Sequence, residues 1–353
     1  MAKNLILVTG IDIKPEYNRT LIILNGLREL GYEILEYEFK KFDEKVAKKI
    51  AEKSKDAYFT YVPSFCHKSV SFVKKHSVCD VVFDPLISKY MTNIKDYKKY
   101  SKLGYESLRS LYRDFRSSMK ADFLIFDTLA HRDYFIKKYK IPVDKTGIVY
   151  VGANTKDFDK NAELKKVPNA KFRVGFVGNF IPLQGVLNIL AAAKLLKEEK
   201  DIEFILIGDG YEYQQAIEFK EKHSLEQVIF EGRVDYSNLD SYINSFDICL
   251  GIFGNTLKSN VVIPNKVFNY ASCSQAVLTM ETKSVKEVFK HGENIYLCKA
   301  EAQDIANSIE NLKANPGLRK KLGENGFNTV CGDYNENKIA KALLSQYQDF
   351  KQN

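Results

Sequence analysis

Residues 251–270 read GIFGNTLKSNVVIPNKVFNY. They follow an apolar, strand-like run at 246–250 and open a helical pattern at 267–271. A loop rich in Gly and Asn that feeds a helix start is a place where anions bind. The helix's first N–H groups lack intrahelical acceptors, and the positive end of its dipole faces the ligand. Lys266 falls in that first turn and adds a full positive charge. Pro264 limits its own φ and the conformation of the residue before it, so the Pro264-Asn265-Lys266 step holds the lysine in a fixed direction.

On either side of this run, short apolar strands alternate with helical patterns. In the second half, strands are expected at 173–177, 202–207, 228–230 and 276–279, with helices at 185–197, 211–223, 238–244, 284–289, 303–313 and 318–325. In the first half, strands are expected at 4–9, 32–39, 57–62, 78–83, 123–126 and 148–151, with helices at 18–30, 43–53, 105–120 and 129–139. This rhythm predicts an α/β protein with parallel, doubly wound sheets. A polar, aperiodic stretch at 155–170 is the expected linker, giving domains 1–165 and 166–334, with a terminal helix in 335–353. In such sheets ligands sit beyond the carboxyl ends of strands, and two facing domains put the site in the cleft between them.

The 353 residues suffice for two domains, and 45% hydrophobic with 28% charged residues describes a soluble globular chain. The longest apolar runs, such as 5–8, fall far short of the ~20 residues that span a bilayer. Residues 1–10 read as a buried first strand rather than a signal peptide. Six scattered cysteines form no Cys-x-x-Cys, and His67, His76, His223 and His291 show no ligand spacing. No metal site and no disulfide framework is expected, which points to the cytosol. The net charge of +8 is uneven: residues 1–165 hold 31 Lys+Arg against 22 Asp+Glu, clustered at 40–55, 95–102 and 109–120. That excess suits an anionic partner, such as lipid headgroups or a lipid-linked pyrophosphate, or is a solvated lysine-rich surface.

The run VIPNKVFNYASCSQAVLT resembles the donor-binding segment of the family 4 glycosyltransferases of the two-domain GT-B type. FRVGFVGNFIPLQGVLNILAAAKLL, IEFILIGDG and VIFEGRVDYSNLDSYINSFDICLGIF are similar to further segments of that family, in the same order. The resemblance covers 171–331 well and the first 160 residues more loosely. It implies a GT-B fold of two Rossmann-like domains, with the terminal helix packing back on the first. It also implies a nucleotide diphosphate sugar as donor substrate, no cofactor, and retention of anomeric configuration.

The donor diphosphate needs cations or N–H groups, which Lys266 and the backbone around Ser259, Asn260, Pro264 and Asn265 would supply. By the resemblance, Gly178, Asn179 and Gln184 line the diphosphate loop, and Asn269 faces the ribose. Gly208 and Asp209 let a ligand approach the backbone or form a simple tight turn, and by the resemblance the loop with Arg233 and Val234 reads the base. This sequence departs from the family where Asn179 and Gln184 replace an Arg and a Lys, and where Asn269 and Val261 replace acidic residues. Either backbone groups and Lys266 carry the donor, or Arg233 and Lys258 compensate, or the site is weakened.

On the acceptor side, Asp84-Pro85-Leu86-Ile87-Ser88 and Asp127-Thr128-Leu129-Ala130-His131 both follow strand ends. Asp84 or Asp127 could serve as a base or stabilise an oxocarbenium ion, and His131 lies one helical turn after Asp127. Capping by Asp127 and Thr128 accounts for the same residues. Gly10, Asn18, Arg19 and Ser88 are acceptor-binding candidates, with an ordinary first-turn role the alternative for Asn18 and Arg19.

The leading expectation is a metal-independent transfer of a sugar to a saccharide or lipid-linked acceptor, in surface polysaccharide or glycoconjugate synthesis. The enzyme would work in the cytoplasm or at the inner face of a membrane with which it makes peripheral contact. A nucleotide-sugar or partner-binding module on the same fold is the alternative. A nucleotide-sugar 2-epimerase would need a richer acidic and histidine set, and no nucleic-acid-binding module is present.

Overall fold

The computed structural model describes residues 4–13, 18–86, 88–97, 99–164 and 171–352. Ile87, and residues 165–170 of the expected linker, lie outside the described residues. The chain divides into two compact units, Met1–Gly152 with Tyr334–Asn353, and Ala153–Asp333. The division thus precedes the expected 165/166 boundary, because the intervening residues are tied to the second unit. Asn154 donates to the Tyr236 hydroxyl at 3.2 Å, Phe158 meets the Tyr236 ring edge-on, and Asn244 donates to the Asp159 carbonyl at 2.9 Å.

In the first unit six parallel strands, β1 (Leu5–Gly10), β2 (Glu33–Glu38), β3 (Ala57–Val62), β4 (Val81–Phe83), β5 (Phe123–Phe126) and β6 (Thr146–Ile148), lie in the order β2-β1-β3-β4-β5-β6. Helices α1 (Asn18–Glu29), α2 (Glu44–Lys53), α3 (His67–His76), α4 (Tyr105–Lys120) and α5 (Leu129–Tyr139) connect them. Ile6, Val8, Phe59, Tyr61, Val82 and Phe123 build the core, as continuous apolar strands covered on both faces must. The order reverses between β1 and β3, which marks their carboxyl ends as this sheet's crevice. The final strand ends at Ile148 rather than 151, and β4 starts at Val81 rather than 78. Helix α3 was not foreseen: HKSVSFVKKH carries too few apolar residues to declare a helical face.

The second unit repeats the plan. Strands β7 (Phe172–Val177), β8 (Ile202–Ile207), β9 (Val228–Gly232), β10 (Ile248–Leu250), β11 (Val277–Met280) and β12 (Tyr296–Cys298) are parallel, in the order β12-β11-β10-β7-β8-β9. Here the reversal falls between β7 and β10. Helices α6 (Val186–Leu195), α7 (Tyr213–His223), α8 (Leu239–Ile243), α9 (Asn265–Ser272), α10 (Ala302–Ala314) and α11 (Pro316–Asp333) surround the sheet. The expected helix at 284–289 is only a 3-10 turn, Val285–Glu287, and the expected 318–325 helix extends through the whole of α11. Glycines that would weaken an isolated helix are tolerated in α11 because Gly323 packs on the Ser274 carbonyl, where no Cβ fits.

The last helix, α12 (Glu336–Gln352), belongs to the first unit. Ile339, Ala340, Leu343 and Tyr347 enter that unit's core. Gly26 of α1 meets the Glu336 carbonyl so closely that any side chain would collide with it. Gln346 brackets the β6 backbone, accepting from Ile148 N–H at 2.6 Å and donating to its carbonyl at 2.5 Å.

Candidate functional site

The second unit's site forms at the carboxyl ends of β7 and β10. Gly251 directly follows β10 and has no room for a Cβ against Thr279, whose hydroxyl accepts from Ile252 N–H at 3.0 Å. The chain then runs against the loop after β7. Phe253 N–H donates to the Gln184 carbonyl at 3.0 Å, and Asn188 donates to the Phe253 carbonyl at 2.8 Å. Gly254 and Gly185 each lie where a Cβ would strike the opposing backbone, which is why this pair of loops needs glycine at both positions. The Ser259 hydroxyl closes the loop, accepting from Thr256 N–H at 3.0 Å and donating to the Thr256 and Gly254 carbonyls. Ser259 is therefore structural through its side chain, and Asn260 is exposed with its amide on the Thr256 carbonyl at 2.8 Å.

Helix α9 begins after Pro264, whose φ of −66° and ψ of 146° end the loop in an extended step. Asn265 and Lys266 are its first two residues, at the end where N–H groups have no intrahelical acceptors. The Lys266 side chain turns inward. It is buried, its ammonium stands 3.5 Å from the centroid of the Phe176 ring, and it has no hydrogen-bond partner among the described residues. A Cβ built on Gly178, the residue just past β7, would come within 2.5 Å of Nζ. Burial lowers the Lys266 pKa well below its ordinary value. Four residues on, the Tyr270 hydroxyl accepts from Val177 N–H at 2.8 Å and so anchors the helix to the end of β7.

Phe176 and Tyr270 shape the surroundings of Lys266, and neither is among the candidate site residues expected from the sequence. Tyr270 was within reach, since its i+4 spacing puts it on the Lys266 side of α9.

Gly208, after β8, lies against the Gly178 carbonyl where no Cβ fits, so the β7 and β8 loops meet through backbone alone. Phe180 N–H donates to the Asp209 carbonyl at 2.7 Å, and Gly208 N–H to Gly232 at 2.7 Å. Arg233 and Asp209 form an ion pair at 2.7 Å, with the arginine largely exposed. Lys258 is buried, Asn179 exposed, and Val234 and Asn269 half-buried. Gln184 keeps a buried side-chain oxygen without a partner among the described residues. Val261, standing where the resemblance has an acidic residue, is buried among apolar neighbours in sequence.

In the first unit the candidates gather at the carboxyl ends of β4 and β5. Asp84 is fully buried. Its Oδ2 accepts from Arg19 Nε at 2.7 Å, from the Tyr61 hydroxyl at 3.2 Å and from the Ser64 hydroxyl at 3.2 Å, while Oδ1 has no partner among the described residues. Arg19 is equally buried and donates through Nη1 to the Val149 carbonyl at 2.5 Å. Burial alone would lower the Arg19 pKa; Asp84 and then Asp127 outweigh it and hold the guanidinium above its ordinary value.

Asp127 and His131 form a second buried pair, with Oδ1 and Nδ1 2.6 Å apart. The helix cap falls to Thr128, whose hydroxyl accepts from His131 N–H at 3.0 Å, so capping and the Asp127–His131 contact coexist. His131 lies against the Phe126 and Phe135 rings, and its Nε2 is buried without a partner among the described residues. Asn18 is the first residue of α1, half-buried.

Two acceptor-side candidates have structural roles. Ser88 is buried and spent, donating to Asp114 at 2.7 Å and accepting from Met91 N–H at 3.0 Å, because its hydroxyl caps the following turn. Gly10 is required by packing, as a Cβ there would strike the Cys66 side chain.

Residues 157–329 match the model of the glycosyl transferases group 1. An uncharacterized glycosyltransferase of Methanocaldococcus jannaschii is 25% identical over 232 residues, 63% of this chain and 57% of the relative. The matched part thus spans about half the length of the curated relatives, 57% of this one and 41% of a second from the same organism. Among solved structures, a glycosyltransferase from Rickettsia africae ESF-5 superposes with a TM-score of 0.73 at 17% identity over 100% of both chains. The Anabaena protein HepE, in complex with UDP and glucose, gives 0.74 at 14% identity over 98% of this chain and 99% of its own. At these identities the likeness is one of fold: two six-stranded parallel α/β units of the GT-B type.

Proposed function

We propose that the chain transfers a sugar from a nucleoside diphosphate sugar to an acceptor hydroxyl, a reading supported by the match of residues 157–329 to the group 1 glycosyl transferase model. The observation that carries the reading is the buried Lys266 ammonium, unspent beside Gly178 and the start of α9. A diphosphate would meet that cation, the helix N–H groups and the glycine backbone of the β7 loop together. As the sugar–oxygen bond breaks, negative charge grows on the leaving phosphate. A preorganised cation at that point stabilises the transition state more than the ground state. In this proposal the configuration is retained, the leaving diphosphate takes the acceptor proton, and Lys266 with the N–H groups serves in place of a metal ion.

In the first unit, Asp127 would fix the His131 tautomer and leave Nε2 for the acceptor. Asp84, held by Arg19, would contribute field rather than act as a mobile base. The acceptor in this reading is a saccharide, free or lipid-linked, and the donor site at Asn179, Gln184 and Asn269 works through neutral polar groups.

The test is a thermal-shift titration with UDP, GDP, ADP and their sugar conjugates on wild type and Lys266→Met. UDP is the first to try, since HepE was solved with it. A ligand at about a hundred times its Kd adds ~2.7 kcal/mol of stability. Stabilisation of wild type alone by one nucleotide supports the reading. Absence of any shift at millimolar concentration would favour a partner-binding module, as the neutral residues at 179, 184, 261 and 269 also suggest.

A further inference from the structure

Helix α4 is built inside out. The side chains it buries are Ser107, Ser110, Asp114, Ser117 and Ser118. Tyr105, Leu108, Tyr112, Phe115 and Met119 are instead 75%, 63%, 59%, 42% and 41% exposed, and Leu103 just before them is 93% exposed. The five recur at steps of three and four residues, so they form one stripe along the helix. The inward face is held by polar contacts. Asp114 accepts from the Ser88 hydroxyl at 2.7 Å, from Lys89 and Tyr90 N–H at 3.0 Å each, and from the Tyr139 hydroxyl at 3.1 Å. With the helix fixed by its polar side, its apolar side is left over.

Cations flank that stripe. Arg109, Arg113, Arg116 and Lys120 lie on the same helix. Its two carboxylates are engaged, Glu106 with Arg109 at 3.0 Å and Asp114 inside. Beside it a recess of about 490 Å³ is lined by Lys68 and Lys75 of α3 together with Arg113 and Arg116.

We infer that this face of α4 docks on an anionic lipid bilayer. The helix lies in the plane of the interface, its apolar stripe among the acyl chains and its arginines on headgroup phosphates. A second copy of the chain could also cover a stripe spaced in threes and fours. It would, however, set the flanking arginines of one copy against those of the other with no spare carboxylate on the helix to meet them. An anionic bilayer satisfies both the apolar and the cationic half of the surface. No helix among the described residues is long and apolar enough to cross a membrane, so this contact is interfacial. The inference stands apart from the transfer reaction and does not depend on it.

The test is co-sedimentation of the whole chain with vesicles of phosphatidylcholine alone or mixed with phosphatidylglycerol. Binding is expected only to the mixed vesicles, and it should weaken as salt rises. The Arg109→Gln/Arg113→Gln/Arg116→Gln variant should lose about a hundredfold in partitioning. Leu108→Ser/Phe115→Ser should lose at least about tenfold with its charge unchanged. Leu108, Arg109, Phe115 and Arg116 are exposed and Arg113 half-buried, and an unchanged thermal melt verifies the fold of both variants. Failure to bind mixed vesicles, or equal binding by the variants, would overturn the inference. So would a light-scattering mass of two chains that falls to one in Leu108→Ser/Phe115→Ser, which would assign the stripe to a second copy.

Discussion

The Lys266 ammonium lies over the face of the Phe176 ring, 3.5 Å from its centroid, and reaches no hydrogen-bond acceptor among the described residues. The ring's negative face offsets part of the desolvation cost, but the ammonium's N–H donors remain unspent. In the proposed reading those donors serve a bound diphosphate, and their burial costs the ligand-free protein some stability. Lys266→Met, of similar length and apolar, should leave the ligand-free protein as stable as wild type or up to about 2 kcal/mol more stable. The same variant should lose nucleotide-induced stabilisation. Urea melts with and without UDP check both halves, and a strongly destabilised Lys266→Met would show the lysine to be a structural element instead.

Proton linkage gives a second test. Burial lowers the Lys266 pKa well below its ordinary value, so between the folded value and the ordinary ~10.4 the unfolded chain binds the extra proton. Stability of the empty protein should then rise with pH across that window, and Lys266→Met should lack this contribution. Within that window diphosphate binding, which calls for the charged amine, should take up a proton and weaken as pH rises. Calorimetric titrations of UDP in buffers of different ionisation enthalpy measure that uptake directly.

The Arg19–Asp84 pair is wholly buried at 2.7 Å. Arg19→Met leaves a carboxylate without its counter-charge, and Asp84→Ala leaves a guanidinium without one. Each should cost ~3–5 kcal/mol in denaturant unfolding. Arg19→Met combined with Asp84→Ala should cost less than the two losses added, because neither orphaned charge remains.

His131→Ala should lower sugar transfer by about 10²–10³-fold while leaving the UDP-induced thermal shift unchanged. Asp127→Asn, which releases the imidazole's orientation at 2.6 Å, should fall in the same direction with a smaller loss of stability than Asp84→Ala. Turnover measured alongside donor binding separates the two units' roles. Loss of nucleotide binding in His131→Ala would move this pair out of the acceptor side.

Where local pattern and tertiary environment agree, the sequence was readable. Strands β3, β5 and β8 and helices α4 and α5 match the expected bounds to the residue, since each is a continuous apolar run or carries clear boundary residues. Lys266 was legible because a loop entering a helix has its own chemistry, and the Asp127–His131 pair because i,i+4 spacing predicts contact. Phe176 was not, being one phenylalanine in an apolar strand 90 positions from the lysine it faces. Arg19 and Asp84 were each singled out, yet nothing local joins residues 65 apart in the chain. Likewise the basic content of 109–120 was visible, but which side of α4 faces inward depends on Ser88 and Tyr139, contributed by other segments.

Helix α12 carries a consequence for the order of events during synthesis. The second unit is continuous from Ala153 to Asp333, whereas the first is completed only by Tyr334–Asn353. A chain leaving the ribosome holds every strand of the first sheet long before the helix that covers α1 and brackets β6 exists. The second unit, begun later, has all its parts sooner. Until residues 334–353 emerge, the α1 surface around Gly26, Ile23 and Leu27 waits uncovered, and the earlier-made unit is the later to finish.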